Sequence, residues 1–237
     1  AIAGRLHDDD SDVREAAVEA LVKLKDRVPE EAIKAIAGRL HDDDSDVREA
    51  AVEALVKLKD RVPEEAIKAI AGRLHDDEGY VREAAVEALA KLEDKVPEEV
   101  IKAIAGWLRD DKWYVRKAAV EALAKLEDRV PEEVIKDIAA RLRDVNWEVR
   151  AAAVVALAKL KDRLPEEVIK DIAARLRDDE WYAREATAKA LAKLKDRVPE
   201  EVIKDIAGLL RDDEREVRES AYRTLKIFYE SGIPLPG

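Results

Sequence analysis

The chain has 237 residues, 42% of them charged and 47% hydrophobic, and its net charge of −11 leaves no evident cationic surface to neutralise phosphates, so nucleic acid is not an expected partner. Cysteine is absent, which excludes disulfides, thiolate metal sites and a cysteine nucleophile. No run of about 18 apolar residues and no basic-plus-apolar leader marks a membrane span or a secretory signal, and a composition of Ala, Leu, Glu, Lys and Arg with one Phe favours helix over strand.

The sequence repeats every 34 residues, giving units 1–34, 35–68, 69–102, 103–136, 137–170, 171–204 and 205–237. The first two units are identical at all 34 positions, which points to a recent duplication or a designed consensus. The lack of any methionine, at residue 1 included, suggests a processed, excerpted or engineered chain. The first unit opens on Ala1 partway through a helix, termed A, that ends near His7. Asp8-Asp9-Asp10 then makes a turn whose carboxylates can cap a second helix, B, running from about Ser11 to Lys25. Val13, Ala16, Ala17, Ala20, Leu21 and Leu24 form one apolar stripe on B at spacings of three and four.

Pro29 starts the next A helix, and Glu30 and Glu31 suit its positive N-terminal end. Pro63, Pro97, Pro131, Pro165 and Pro199 repeat that signal. One hairpin of this length cannot bury its own apolar face, so stacking must complete the core, and the alanines let neighbouring helices approach closely. In the last unit Tyr222, Ile227, Phe228 and Tyr229, followed by Gly232, Pro234 and Pro236, read as a cap over the final interface. The first unit has no such variation, so an exposed interface is expected at the N-terminal end.

An aspartate at the turn inside each unit is followed six residues later by an arginine: Asp8 with Arg14, Asp42 with Arg48, Asp76 with Arg82, Asp110 with Arg116, Asp144 with Arg150, Asp178 with Arg184 and Asp212 with Arg218. In most units a valine precedes the arginine, as in Val13-Arg14 and Val47-Arg48. Together with the stripe on B, this pattern resembles the HEAT-repeat family, regular HEAT-like arrays and artificial alpha-helical-repeat binders included. The tetratricopeptide family shares the period, but its W-x-x-L-G-x-x-Y signature is missing. The resemblance implies an all-α fold, a right-handed α-solenoid of seven 34-residue helical hairpins forming one domain over 1–237. It also implies a polar ladder of aspartate and arginine between repeats, and a role in presenting variable side chains to a protein partner.

The units disagree mainly on helix B. Their eleventh position reads Ser11, Ser45, Gly79, Trp113, Trp147, Trp181 and Arg215, and their twelfth reads Asp12, Asp46, Tyr80, Tyr114, Glu148, Tyr182 and Glu216. Positions 11, 15 and 19 lie along one side of B, away from the stripe. The resemblance implies that this side lines a concave groove. The expected function is therefore a protein-binding scaffold, with partner-binding residues Tyr80, Lys112, Trp113, Tyr114, Lys117, Trp147, Glu148, Trp181, Tyr182, Glu185 and Lys189 in the third to sixth units. The expected partner is another protein or a peptide. Two alternatives stand beside this reading: that the three tryptophans pack as inter-repeat core, and that the chain is a structural spacer or an excerpt of a longer array that self-associates end to end through its uncapped first repeat. Trp107, in place of an arginine on helix A, reads as a half-exposed surface residue.

Groups that could carry chemistry do not converge. His7, His41 and His75 recur once per unit, roughly 10 Å apart, too far to share a metal, and suit the negative ends of their helices. The Asp8-Asp9-Asp10 run lacks the alternation of a calcium loop. Neither a Gly-x-Ser-x-Gly elbow nor a phosphate-binding glycine loop is present. No catalysis, metal or cofactor is expected.

Overall fold

Proline and aspartate punctuate the chain, and the helices fall between them. The computed structural model describes residues 2–58 and 61–235. Ala1, the expected start of the first unit, and Pro236, in the expected cap, lie outside that range. Among the described residues the protein is all-α, with no strand.

The A helices are α2 (Glu30–Gly38), α4 (Glu64–Gly72), α6 (Glu98–Gly106), α8 (Glu132–Ala140), α10 (Glu166–Ala173) and α12 (Glu200–Gly208). A proline in extended conformation precedes each one, as at Pro29 (φ −63°, ψ 149°), and two glutamates fill each first turn. The missing proline N–H costs nothing there, and the carboxylates face the positive end of the helix. Each A helix then tightens into a 3-10 turn, such as Arg39–His41. That turn shares out the last carbonyls and points a leucine into the core. Leu6, Leu40, Leu74, Leu108, Leu142 and Leu176 are all buried.

The B helices are α1 (Ser11–Val22), α3 (Ser45–Leu58), α5 (Gly79–Lys91), α7 (Trp113–Lys125), α9 (Trp147–Lys159), α11 (Trp181–Leu194) and α13 (Arg215–Glu230). Asp10, Asp44 and Asn146 cap α1, α3 and α9 by accepting a backbone N–H two residues on, at 3.0, 3.0 and 2.8 Å. At the other end α1 stops three residues short of Lys25. Lys25, Glu127, Lys161 and Lys195 have φ between 33° and 51°, a positive-φ conformation one to three residues past the end of the B helix that starts a short 3-10 turn.

The helices form two compact units, Ala1–Trp107 and Leu108–Gly237. In the first, α1, α3 and α5 pack in succession, α2 and α4 lie against α3 and α5, and α2, α4 and α6 form the outer row. In the second, α7, α9, α11 and α13 pack in succession, with α8 on α9, α10 on α11 and α12 on α13. Small side chains set the close approach of the B helices: Ala51, Ala54, Ala85 and Ala88 are buried in the first unit, and Ala119, Ala122, Ala153, Ala156 and Ala190 in the second. Buried valine, leucine and isoleucine fill the space between the rows.

Within each unit a polar ladder runs beside the apolar core, as the family resemblance implies, and its arginines take the carboxylate of the next hairpin's aspartate rather than that of the one six residues before. Arg14 donates Nε and Nη2 to the carboxylate of Asp42 in the next hairpin, at 3.0 and 2.6 Å, while its Nη1 bonds the carbonyls of Asp8 and Asp9 in its own turn. Arg48 holds Asp76 at 2.8 and 2.8 Å, Arg116 holds Asp144 at 2.8 and 2.7 Å, Arg150 holds Asp178 at 2.7 and 2.5 Å, and Arg184 holds Asp212 at 2.8 and 2.9 Å. Each receiving aspartate also accepts the backbone N–H two residues on, so one carboxylate locks its own turn and the preceding hairpin together. Burial alone would raise the pKa of Asp42, Asp76, Asp144, Asp178 and Asp212. The guanidinium and the backbone N–H outweigh it, and all five lie below the ordinary aspartate value.

A second arginine series staples the opposite ends of the hairpins. Arg61 donates to the carbonyls of Lys25, Asp26 and Val28. Arg163 donates to those of Glu127 and Val130, and Arg197 to those of Lys161 and Leu164. These arginines satisfy carbonyls freed where the positive-φ residues follow helix B.

In the last hairpin Phe228 is fully buried, whereas Tyr222, Ile227 and Tyr229 remain exposed. The chain leaves α13 through Gly232 (φ 78°), with the Ile233 N–H bonded to the Phe228 carbonyl and the Gly232 N–H to that of Tyr229. This is a glycine-terminated helix end that only a residue tolerant of positive φ closes without strain.

Three outcomes are expected. Asp178→Asn leaves Arg150 with a neutral partner in a buried site and should cost roughly 3 kcal/mol in urea-unfolding free energy. Because the ladder aspartates are depressed in the folded state, their contribution is complete above about pH 5. It should be lost as pH falls below about 4, a slope that urea melts across pH will show and that Asp178→Asn should blunt. Lys25→Gly should raise stability by about 1 kcal/mol by relieving a lysine at positive φ.

Candidate functional site

Side chains at the start and outer side of the B helices carry the variation between units. In the first unit only Tyr80 belongs to the expected ribbon. It lies partly in solvent and reaches back over α3, its hydroxyl 2.5 Å from Ser45 Oγ and 3.0 Å from Asp46 Oδ1. The same face of α1 and α3 is acidic. Burial first, then the like charges of Glu19 and Asp46 for Glu15 and of Glu53 and Asp46 for Glu49, push both carboxyls above the ordinary glutamate value.

The second unit holds the other ten ribbon residues. Trp113, at the first position of α7, is 38% exposed and meets the half-buried Tyr114 edge to face, ring centroids 5.9 Å apart at 77°. Lys112 Nζ sits 5.6 Å from the Tyr114 ring centroid, within reach of its negative face. Farther on, Tyr182 joins two tryptophans. It stacks on Trp147 of the preceding B helix (5.0 Å, 18°) and on its own neighbour Trp181 (3.5 Å, 26°), yet stays 46% exposed. The tyrosine at the twelfth position leans back onto the preceding hairpin, as Tyr80 does in the first unit.

The charged ribbon residues are largely paired with one another. Lys117 Nζ lies 2.8 Å from Glu148 Oε2 across α7 and α9, and Lys189 Nζ lies 2.6 Å from Glu185 Oε1 within α11. Between α7 and α9 is a groove of about 310 Å³ with an alanine floor, bounded by Trp147, Val155, Lys117, Lys125, Glu148 and Lys159. Trp147 and Trp181 are half-buried and Trp113 more open, so the tryptophans stand at the rim of the packing. Trp107 is half-buried too, with the His75 ring edge-on at 4.5 Å and 79°.

Two features of this face and its flank escape a unit-by-unit reading. Arg109, Arg143 and Arg177 bond Asp137, Asp171 and Asp205 of the next A helix, each at 2.9 Å. The units that carry histidine at the seventh position are followed by alanine at the first position of the next, whereas Arg109, Arg143 and Arg177 are followed by aspartate. That co-variation was available as a signal. The other feature is a lysine row, Lys125, Lys159 and Lys193, along α7, α9 and α11. Burial first, then the charge of Lys125 and, more weakly, that of Lys193, hold the Lys159 amine below the usual lysine range against the opposing pull of Glu127 and Glu121. Among the described residues, no group of three or more His, Cys, Asp or Glu side chains could hold a metal, and no helix is long and apolar enough to cross a membrane.

The family model for HEAT repeats matches residues 1–90, 68–158 and 135–226. No curated protein matches the chain in sequence. Among solved structures it is similar to the karyopherin Kap121p bound to the SUMO protease Ulp1p, with TM-score 0.79 and 14% identity over 96% of this chain and 29% of that one. It is also similar to importin beta, with TM-score 0.73 and 17% identity over 96% and 35%. A third similarity is to the complex of CpcE and CpcF of phycocyanin lyase from Nostoc sp. PCC7120, with TM-score 0.50 and 20% identity over 97% and 92%. The chain thus spans about a third of the karyopherin chains it matches. At these identities the likeness concerns the fold.

Removing the shared tyrosine tests the aromatic geometry directly. In a Trp107→Phe background, Tyr182→Ala should leave the fold intact, shift tryptophan emission to the red and raise its quenching by acrylamide, because Trp147 and Trp181 lose the ring that shelters both.

Proposed function

The chain belongs to the HEAT-repeat family, and from that premise we propose that it is a scaffold that binds another protein or a peptide through the B-helix ribbon of its third to sixth hairpins. The helical solenoid of this family is a fold commonly used for protein interaction. Its structural neighbours include a karyopherin bound to a SUMO protease and a two-protein phycocyanin lyase complex.

The observation that carries the reading is the partly exposed aromatic set of the second unit, above all Tyr182 between Trp147 and Trp181. The scaffold does not require these rings. Ser11, Ser45 and Gly79 occupy the tryptophan position in the first unit, where Arg14 and Arg48 make the same ladder contacts. Rings fixed against one another present large apolar area with little conformational entropy left to lose, as at other protein interfaces. In this reading Lys112, Lys117, Glu148, Glu185 and Lys189 form the polar rim around Trp113, Tyr114, Trp147, Trp181 and Tyr182, and Tyr80 extends the contact surface.

Panning a displayed peptide library on the protein tests the proposal. Selected ligands should bind the combined Trp113→Ala, Trp147→Ala and Trp181→Ala variant at least about tenfold more weakly, with a melting temperature close to that of the parent. Ligands that bind both proteins equally would show that the contact surface lies elsewhere.

A second reading, stacking of one copy on another, is favoured by the last hairpin. Leu210, Tyr222 and Tyr229 are exposed there, and Arg218 bonds only the carbonyls of its own turn among the described residues. Sedimentation over a range of concentrations separates the readings. Self-association that Tyr222→Glu abolishes and the tryptophan variant does not would select this one.

A further inference from the structure

We propose that the groove between α11 and α13 binds an acidic, extended peptide segment bearing apolar side chains. This rests on the reading of the B-helix face as a protein-binding surface and adds the chemistry of what it binds.

The groove measures about 720 Å³, and its walls carry Lys161, Lys189, Lys193, Lys195 and Arg223 over a floor that includes Ile227. Among the described residues no carboxylate lines it. Glu185 engages Lys189 at 2.6 Å, and Glu219 engages both Arg215 and Arg223, at 2.7 and 3.5 Å. Lys161, Lys193 and Lys195 have no ion-pair partner among the described residues. A protein of net charge −11 has therefore gathered several unneutralised cations around one apolar trough.

Three further observations fix the occupant's chemistry. Lys193 continues into the row with Lys159 and Lys125 on successive B helices, where burial first and then the neighbouring lysines disfavour charge on Lys159, so carboxylates placed along the row would offset part of that cost. The nineteenth position of the units reads Glu19, Glu53, Glu87 and Glu121, then Val155, Lys189 and Arg223. The scaffold accepts either sign there, and the corresponding trough in the first unit is lined by Glu19, Glu53 and Asp26 among its lysines. The floor is apolar: Ala192 and Ile227 face the trough, and the Thr224 hydroxyl lies 2.9 Å from the Ala188 carbonyl and 2.8 Å from that of Ser220. A chain with alternating carboxylates and apolar side chains matches walls and floor together, whereas the sugar-phosphate backbone of a nucleic-acid strand has no apolar side chains to cover Ala192 and Ile227. Four B helices at roughly 10 Å spacing span about 30 Å, the reach of about ten extended residues.

The probe is a fluorescein-labelled peptide of about ten residues alternating Glu and Leu, compared with its Gln-for-Glu and Lys-for-Glu versions and with an oligothymidylate of similar length. Fluorescence anisotropy on the full chain should show binding of the acidic peptide alone, weakened by salt. The combined Lys161→Gln, Lys193→Gln and Lys195→Gln variant should weaken it about tenfold, and the Lys-to-Glu version should abolish it, both with helical circular dichroism unchanged. Lys23→Gln with Lys57→Gln in the first unit should have no effect. The proposal is overturned if no peptide binds, if the Gln peptide binds equally, if the lysine variants change nothing, or if oligothymidylate displaces the acidic peptide. Loss of peptide binding in the tryptophan variant but not in the lysine variants would also overturn it while leaving the aromatic ribbon as a binding surface. Retention in the tryptophan variant alongside loss in the lysine variants would support it independently of that ribbon.

Discussion

Each ladder guanidinium is held in two directions at once. Arg150 donates to the Asp144 and Val145 carbonyls of its own turn and, with its other edge, to both carboxylate oxygens of Asp178 one hairpin on. A planar fork with five donors is suited to this double duty, and a lysine ammonium could not reproduce its bidentate geometry. The carboxylate is equally committed, since it also accepts the N–H of Glu180 and so fixes the turn from which the next B helix starts. Local turn, helix start and hairpin register thus depend on one pair. The apolar core supplies the bulk of the stabilisation, but burial is non-directional and would tolerate a slipped stacking that the ladder forbids.

With the turn end fixed by the ladder and the opposite end by Arg61, Arg163 and Arg197 on freed carbonyls, the outer side of helix B is free of structural duty. The first unit leaves it acidic, to the point that Glu15 and Glu49 titrate above their ordinary value. The second unit fills it with tryptophan, tyrosine and lysine. Such different surfaces can sit on the same backbone because each hairpin needs only its own core stripe and its neighbour's, the nearest-neighbour logic of repeat proteins.

The surface of the second unit is also partly preorganised. Tyr182 is stacked on two indoles, Lys117 is paired with Glu148, and Lys189 is paired with Glu185 in the chain by itself, as the proposed binding role requires. Holding these groups in place lowers the entropy lost on association. The lysines left unpaired beside α11 and α13 are the exception, and the proposed preference for an acidic segment rests on their uncompensated charge.

Periodicity in the sequence was sufficient for the helices, their order, the proline starts and the recurring aspartate and arginine positions, because these follow from short-range sterics and from spacing along one chain. That an arginine takes the aspartate of the next hairpin, as Arg14 takes Asp42 and Arg48 takes Asp76, was implied only by the family resemblance. Periodicity was not sufficient for the ends of the B helices, where a lysine or glutamate takes a positive-φ conformation that its own side chain disfavours and that arginine from the next hairpin rewards. Nor could it say which rings meet. Trp147 and Tyr182 are 35 residues apart and come within 5.0 Å only because stacking brings consecutive B helices side by side and the tyrosine leans back across the gap. The partners of Lys117 and the crowding of Lys159 were hidden for the same reason. Spacing along a helix determines which residues share a face, but the distance between faces on different helices is set by packing.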